Sequence, residues 1–228
     1  AVNEGEYKMM GLASFGEPKY YDILSKTIKF ENNKLEIDTK YYDYVRRTDR
    51  SYSDLLADEL GVKPRRPDIP FEVGTEDFKI YANVAASAQK LLEDLLFAIF
   101  KYAHELTGEK NFLFSGGVAM NSSAVRKTAN LDFIEKLNLP PSPGDSGAAI
   151  GAAYYGFINK NDKTVSKNNL NKNIFPGIIK SSEEFYDLVF DKIAGDNNSI
   201  EKAAETIAED QIIATCFSNI ETGPRALG

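Results

Sequence analysis

The sequence predicts an α/β fold, and three observations carry that expectation. Tyr81, Val84, Ala85, Ala88, Leu91, Leu92, Leu95, Ile99 and Ala103 recur at three- and four-residue steps, the stripe of a long amphipathic helix. The apolar run Asn111 to Phe114 reads as a buried strand and leads straight into Ser115-Gly116-Gly117-Val118-Ala119-Met120-Asn121. A second glycine-bearing stretch, Gly144-Asp145-Ser146-Gly147-Ala148-Ala149-Ile150-Gly151-Ala152-Ala153, starts another helix with a carboxylate at its mouth. Side-chain-free turns at a strand end let a ligand approach the backbone closely. Together the two stretches point to a nucleotide pocket built where strands end and helices begin.

The remaining elements follow in order. Glu17 to Thr27 reads as a helix after the turn at Phe15-Gly16, and Ile28-Lys29-Phe30 with Leu35-Glu36-Ile37 as a hairpin joined across Glu31 to Lys34. Ser53 to Leu60 is a short helix that stops at Gly61, a left-handed cap. Pro64, Pro67 and Pro70 make the next stretch a loop. Asp77 is placed to cap the long helix, Gly108 closes it, and Lys90, Glu93 and Lys101 are expected to face outward. Past the first glycine stretch a helix runs from Ser122 to Thr128. Pro140, Pro141 and Pro143 then deliver the chain to a helix from Ser146 to about Ile158. In that helix Gly147/Gly151, Ala148/Ala152 and Ala149/Ala153 are four apart, which gives one smooth face suited to close helix contact. From Asn159 to Asn173 the composition shifts to asparagine and lysine, a linker. Helices over Ser182–Ile193 and Ser199–Glu209 and a buried strand over Gln211–Phe217 then begin a second domain.

Composition bounds the function. With 43% hydrophobic and 27% charged residues over 228 positions, the chain can bury a real core. A formal net charge of −7 argues against a broad nucleic-acid footprint. Two basic groups, Arg46-Arg47 with Arg50 and Lys63 with Arg65-Arg66, sit among acids and prolines; they read as solvated loops, with an anion funnel as the alternative. The single cysteine, Cys216, excludes an internal disulfide, fits a reducing cytosol and sits in an apolar run as a core residue does. Leu95 to Phe100, the longest apolar block, is too short to span a bilayer, and no signal peptide is visible, so neither a membrane nor a nucleic-acid partner is expected. The chain begins without methionine and ends abruptly, so a fragment of something longer is expected.

Each candidate site residue carries a bland reading beside a chemical one. Gly116 and Gly117 serve a strand-to-helix turn whether or not anything binds, but backbone N–H groups there, with Asn121 and Ser122 behind them, can meet phosphate or ribose oxygens. Asp145 is a favoured helix N-cap, stabilising by roughly 1 kcal/mol, or else a hard oxygen ligand for a metal or a carboxylate near a nucleotide phosphate. Lys8, among Gly5, Gly11 and Gly16, is a solvated residue of a terminal loop or a point charge that reaches a phosphate. Arg225, after Gly223-Pro224, sits on a surface turn or forks onto a phosphate or carboxylate. His104, with no cysteine or histidine near it in sequence, reads as a surface or half-buried residue.

These pieces, in this order, resemble the carbamoyltransferases of the NodU/CmcH/TobZ family. Gly5 to Ala13 is similar to that family's G-E-x-K-x-M-G-L-A segment. Ser115 to Asn121 resembles x-G-G-V-A-L-N, with Met120 in place of leucine, and Gly144 to Ala153 resembles G-D-x-G-x-A-x-G-A-A. Glu221 to Gly228 matches E-x-G-P-R-A-L-G, the most specific of the four. The resemblance implies an actin-like, sugar-kinase-like (ASKHA) subdomain at residues 1–157, TsaD-like in type, then a linker at 158–173 and the truncated start of an α+β YrdC-like domain at 174–228. It further implies transfer of a carbamoyl group from carbamoyl phosphate, through ATP-derived carbamoyladenylate, to a hydroxyl of a small-molecule acceptor. By the same resemblance Gly116, Gly117, Asn121 and Lys8 hold the nucleotide. Asp145 would bind a divalent metal (iron, zinc, manganese or magnesium), and Arg225 would act catalytically on the carbamoyl phosphate or adenylate. The family's H-x-x-x-H metal histidines have no counterpart here, and Asn219 stands where the family has glycine; the isolated chain is therefore expected to be inactive. A TsaD-like tRNA-threonylcarbamoylating protein and a non-catalytic ASKHA nucleotide-binding module are the alternative expectations.

Overall fold

A computed structural model describes residues 5–44, 46–66, 72–140, 142–161 and 199–211. The chain divides into two compact units, residues 1–148 and 149–228. The expected helix over Ser182–Ile193, the strand through Cys216, nearly all of the linker and the Glu221–Gly228 stretch with Arg225 lie outside the described residues.

The first unit is built around one long helix. In chain order it contains α1 (Glu6–Ala13), α2 (Tyr21–Leu24), a hairpin of β1 (Ile28–Glu31) and β2 (Lys34–Ile37), and α3 (Asp54–Leu60). Then come the long helix α4 (Glu76–Thr107), β3 (Asn111–Leu113), α5 (Ser122–Ala129) and β4 (Lys136–Asn138). Helix α6 (Gly147–Asn161) crosses into the second unit, which also holds α7 (Ser199–Ala208). The α6 residues 148–160 are exposed, so the smooth face of small side chains is not buried.

Local chemistry explains most element boundaries. The hairpin is antiparallel, Ile28 opposite Ile37 and Glu31 opposite Lys34, closed by Asn32 and Asn33 with φ of 51° and 62°. Two left-handed residues are what a tight two-residue hairpin turn demands, and asparagine tolerates them. Ser53 caps α3 by accepting the Leu56 N–H, and Gly61 at φ 63° ends it. Thr75, rather than Asp77, caps α4 by accepting the Phe78 N–H at 3.2 Å; Asp77 lies within the first turn, where its charge meets the positive end of the helix dipole. Gly108 at φ 71° closes α4 as expected.

The long helix is covered on more than one face, which corrects the expected single stripe. Ala88, Leu91 and Leu95 join Leu24, Tyr41, Leu56 and Ile28 in one core. Leu92, Leu96 and Phe100 join Ala124, Ile134, Phe112 and Phe114 in another. A third line carries polar side chains: Asn83 accepts the Glu17 N–H at 2.8 Å, Ser87 accepts the Tyr20 N–H at 2.9 Å, and Asp94 accepts the Tyr21 hydroxyl. Gly16 lies directly on the α4 backbone there, since a Cβ at this position would stand 2.1 Å from the Ala82 carbonyl oxygen.

Three sequence expectations change here. The stretch around Lys8 is helix α1 rather than a terminal loop, and it packs on α4. The helix expected over Glu17–Thr27 shrinks to one turn, because Glu17 and Tyr20 give their N–H groups to α4 side chains instead of to a helix ladder. The strand at Asn111–Phe114 is not fully buried: it pairs in parallel with β4, Phe112 and Phe114 turn edge-on to Phe100, and Leu113 is 73% exposed.

The basic loop at 46–50 pairs locally with acids. Arg47 forks onto Asp49 at 2.9 and 2.7 Å, while Arg50 forks onto Asp54 at 2.6 and 3.1 Å and touches Asp43. Hydrogen bonds from Arg47 pull the Asp49 carboxyl down to about 2, and those from Arg50 lower Asp54.

Two outcomes follow. Gly16→Ala forces the chain off α4 and is expected to destabilise the fold by about 3 kcal/mol in a denaturant titration. For Asp49 the folded-state pKa lies below its unfolded value, so the pairing stabilises above the ordinary carboxylate pKa and is lost as pH falls from about 4 toward 2. Carboxyl NMR is expected to show Asp49 titrating near 2, and Arg47→Ala to raise it toward the ordinary carboxylate range, with the Arg50 charge still holding it below.

Candidate functional site

The two glycine-bearing stretches meet in the first unit. Phe114 is the last residue on the sheet, its N–H donating to the Asn138 carbonyl at 2.9 Å. The chain then turns at Gly116, whose φ of 109° is a conformation that side-chain-bearing residues rarely adopt. The Gly116 N–H donates to the Pro143 carbonyl at 2.7 Å, and the Ser115 hydroxyl donates to the same oxygen at 3.1 Å. On the other side Met120 packs against Gly144, where a Cβ would lie 3.0 Å from the Met120 Cε.

Gly117 to Met120 form a 3-10 turn. Within it Ala119 N–H bonds the Gly116 carbonyl and Asn121 N–H the Val118 carbonyl, each at 3.0 Å. The N–H groups of Gly117 and Val118 make no hydrogen bond among the described residues, and a Cβ at Gly117 would meet nothing within 4 Å. Two adjacent free backbone donors on exposed residues can attract an anion.

Asn121 closes this turn and opens α5. Its Oδ1 accepts the Ala124 N–H at 3.0 Å as the helix N-cap. The same amide pairs with Gln89 of α4: Asn121 Nδ2 donates to Gln89 Oε1 at 2.9 Å, and Gln89 Nε2 donates to Asn121 Oδ1 at 3.1 Å. Gln89 Nε2 also donates to Glu93 Oε1 at 2.9 Å; Glu93 further accepts the Ser123 hydroxyl and pairs with the Lys127 ammonium at 2.5 Å. Glu93, expected to face outward, is therefore turned onto α5 with its side chain only 8% exposed.

The other expected residues are less engaged. Asp145 is exposed, and its carbonyl, not its side chain, accepts the Ala148 N–H at 3.0 Å. Gly147 is there for packing, since a Cβ would stand 2.1 Å from the Ser142 carbonyl oxygen. Lys8 is exposed on α1, its ammonium 5.8 Å from the centre of the Tyr7 ring. Two residues on, the Met10 sulfur lies 3.9 Å from the Ser122 hydroxyl at the start of α5. The structure thus joins Gly116, Gly117, Asn121 and the Asp145 loop, while Lys8 stays on the exposed side of α1. His104 is half-buried, stacked on Phe133 at 5.2 Å and bonded through Nδ1 to the Glu109 carbonyl, which requires the proton on Nδ1. Among the described residues no three histidine, cysteine, aspartate or glutamate side chains gather as a metal site, and no helix is long and apolar enough to cross a membrane.

Gln89 escaped the sequence reading, and Glu93 reads there as facing outward. Their signal was present: polar residues four apart, in line with Leu96 and Phe100 on the core side of α4. Asn121→Ala, which removes both cap and amide partner, is expected to lower stability by about 1–2 kcal/mol. Asn121→Ser should recover the capping part; chemical denaturation of the two variants checks both.

Comparison with known proteins places this geometry in a family. Residues 1–154 match the family model described as Carbamoyltransferase N-terminus. An uncharacterized protein of Synechocystis is 29% identical over 243 aligned residues, covering 100% of this chain and 38% of that protein. Nodulation protein NolNO of Sinorhizobium fredii is 28% identical, covering 98% of this chain and 31% of that protein. Nodulation protein U of Rhizobium tropici is 42% identical over 77 residues, 31% of this chain and 13% of that protein. The chain thus spans about a third of the length of the first two relatives. With the match reaching from the first residue through both glycine stretches, the chain belongs to the carbamoyltransferase family.

Proposed function

We propose that the protein at full length is an O-carbamoyltransferase whose glycine-lined turn holds ATP or the adenylate made from it. The observation that carries this reading is the pair of free N–H groups at Gly117 and Val118, open to solvent at the end of β3 and held there by the Pro143 latch. Family membership supplies the group transferred.

In this reading water cleaves carbamoyl phosphate to carbamate and phosphate, and a carbamate oxygen attacks the α-phosphorus of ATP to give carbamoyladenylate with release of pyrophosphate. The acceptor hydroxyl oxygen then attacks the carbamoyl carbon, the bond to AMP breaks, and the hydroxyl proton leaves to a base or to water. The part of this chain is binding and orientation. Gly117 and Val118 N–H groups face a phosphate oxygen, and fixed donors of this kind stabilise negative charge without reorganising. Gly116 sets the turn that aims them, Asn121 adds a side-chain donor, and Lys8 on the neighbouring helix adds positive charge. Arg225 is assigned to the carbamoyl phosphate side.

A divalent metal fits the described residues poorly. Asp145 offers one exposed carboxylate and no second or third donor gathers with it among those residues, so no step is routed through a metal.

The test uses Gly117→Val in the full-length protein, because the added side chain enters open space over the free N–H groups. Thermal stability is expected to stay within about 1 kcal/mol of the parent, while ATP affinity falls about tenfold or more. AMP release from ATP, carbamoyl phosphate and a panel of small hydroxyl acceptors should fall with it. Full ATP affinity in the folded variant would remove the nucleotide from this turn. Nucleotide binding by the parent protein without any carbamoyl transfer would favour a non-catalytic binding module.

A further inference from the structure

We propose that Gln89 is a positioning residue that holds the Asn121 amide and fills the second lone pair of its oxygen, so that Asn121 meets a bound nucleotide as a hydrogen-bond donor only. The inference rests on the nucleotide reading above and deepens it.

At one end of the network Glu93 is a carboxylate beside the Lys127 ammonium, and a carboxylate only accepts. Gln89 must therefore aim its NH2 group, not its oxygen, at Glu93. At the other end the Ala124 N–H only donates, so Asn121 must aim its oxygen at α5. Between these fixed ends the two amides have one consistent arrangement, and the observed reciprocal pair is that arrangement.

Counting hydrogen-bonding capacity gives the consequence. Both protons of Gln89 Nε2 are engaged, one by Glu93 and one by Asn121. Both lone pairs of Asn121 Oδ1 are engaged, by Ala124 N–H and Gln89. One Nδ2 proton of Asn121 goes to Gln89 Oε1, and the other has no partner among the described residues. Gln89 is 8% exposed while Asn121 is half-buried, so the amide that keeps a free proton is the one a ligand can reach. Such a proton selects an acceptor atom: a phosphate oxygen, a ribose oxygen or an unprotonated ring nitrogen. It repels a donor.

Side-chain amide NMR of the full-length protein, with and without ATP, tests this beside calorimetric ATP titration of variants. In the parent protein one Asn121 Nδ2 proton is expected to exchange slowly with water and the other to shift on adding ATP. Gln89→Met keeps the bulk and removes the orienting groups; ATP affinity should fall about tenfold. Gln89→Glu likewise keeps the bulk and the acceptor for Asn121 Nδ2, but it removes the N–H that fills the second lone pair of Asn121 Oδ1. In the folded variant ATP affinity should fall by a similar factor and the ATP-induced shift of the Asn121 amide should be lost, which a bulk-packing role for Gln89 would not produce. ATP binding with no shift of the Asn121 amide, or folded Gln89→Met that binds ATP as the parent does, overturns the positioning role alone. Absence of ATP binding by the parent overturns both this role and the nucleotide reading.

Discussion

The fold of the first unit depends on backbone lying directly on helix α4. At Gly16 the chain runs so close to the Ala82 carbonyl that no side chain fits between them. The part-buried N–H groups at Glu17 and Tyr20 donate to Asn83 Oδ1 and Ser87 Oγ. An unpaired buried N–H costs about 1–3 kcal/mol, so these two side chains decide where the segment can lie. Ser87 is itself fixed by donating to the Asn83 carbonyl one turn earlier. A single glycine and two polar side chains of α4 thus dock the segment that joins α1 to α2.

From that contact the rest of the unit follows as layers around one rod. The hairpin and α3 close over Leu91, while the βα unit of β3, α5 and β4 closes over Leu96 and Phe100. Gln89 and Glu93 extend the second contact with polar bonds to Asn121, Ser123 and Lys127. Helix α4 therefore supports the glycine-lined turn from behind, through the helix that follows it. A site on a loop gains its geometry from the rigid element beneath it, and here that element runs for 32 residues.

What was legible in the sequence was whatever local chemistry decides alone. The Asn32-Asn33 turn, the Ser53 cap, the glycine stops at 61 and 108 and the apolar repeat of α4 needed no tertiary information. What was missed depended on a partner. Glu17 to Thr27 has helical composition, but its amide groups are claimed by α4. Glu93 reads as a surface charge until Lys127 and Ser123, brought close by the β3–α5 crossover, surround it. Strand β4 is too short to show a period of its own and exists because β3 offers an edge. The candidate site divides in the same way. The glycines and Asn121 stand out in the chain, while the residues that aim them lie about thirty positions away on a helix whose pattern reads as packing.

The shared acceptor at Pro143 has a mechanical meaning. A carbonyl oxygen has two lone pairs, and here both receive donors from adjacent residues, the Ser115 hydroxyl and the Gly116 amide. Loss of either bond leaves the other in place, so the strand-end turn and the proline loop part only when both are broken. One oxygen atom thus acts as a double brace, tying the backbone at Gly116 to the loop that leads into Asp145.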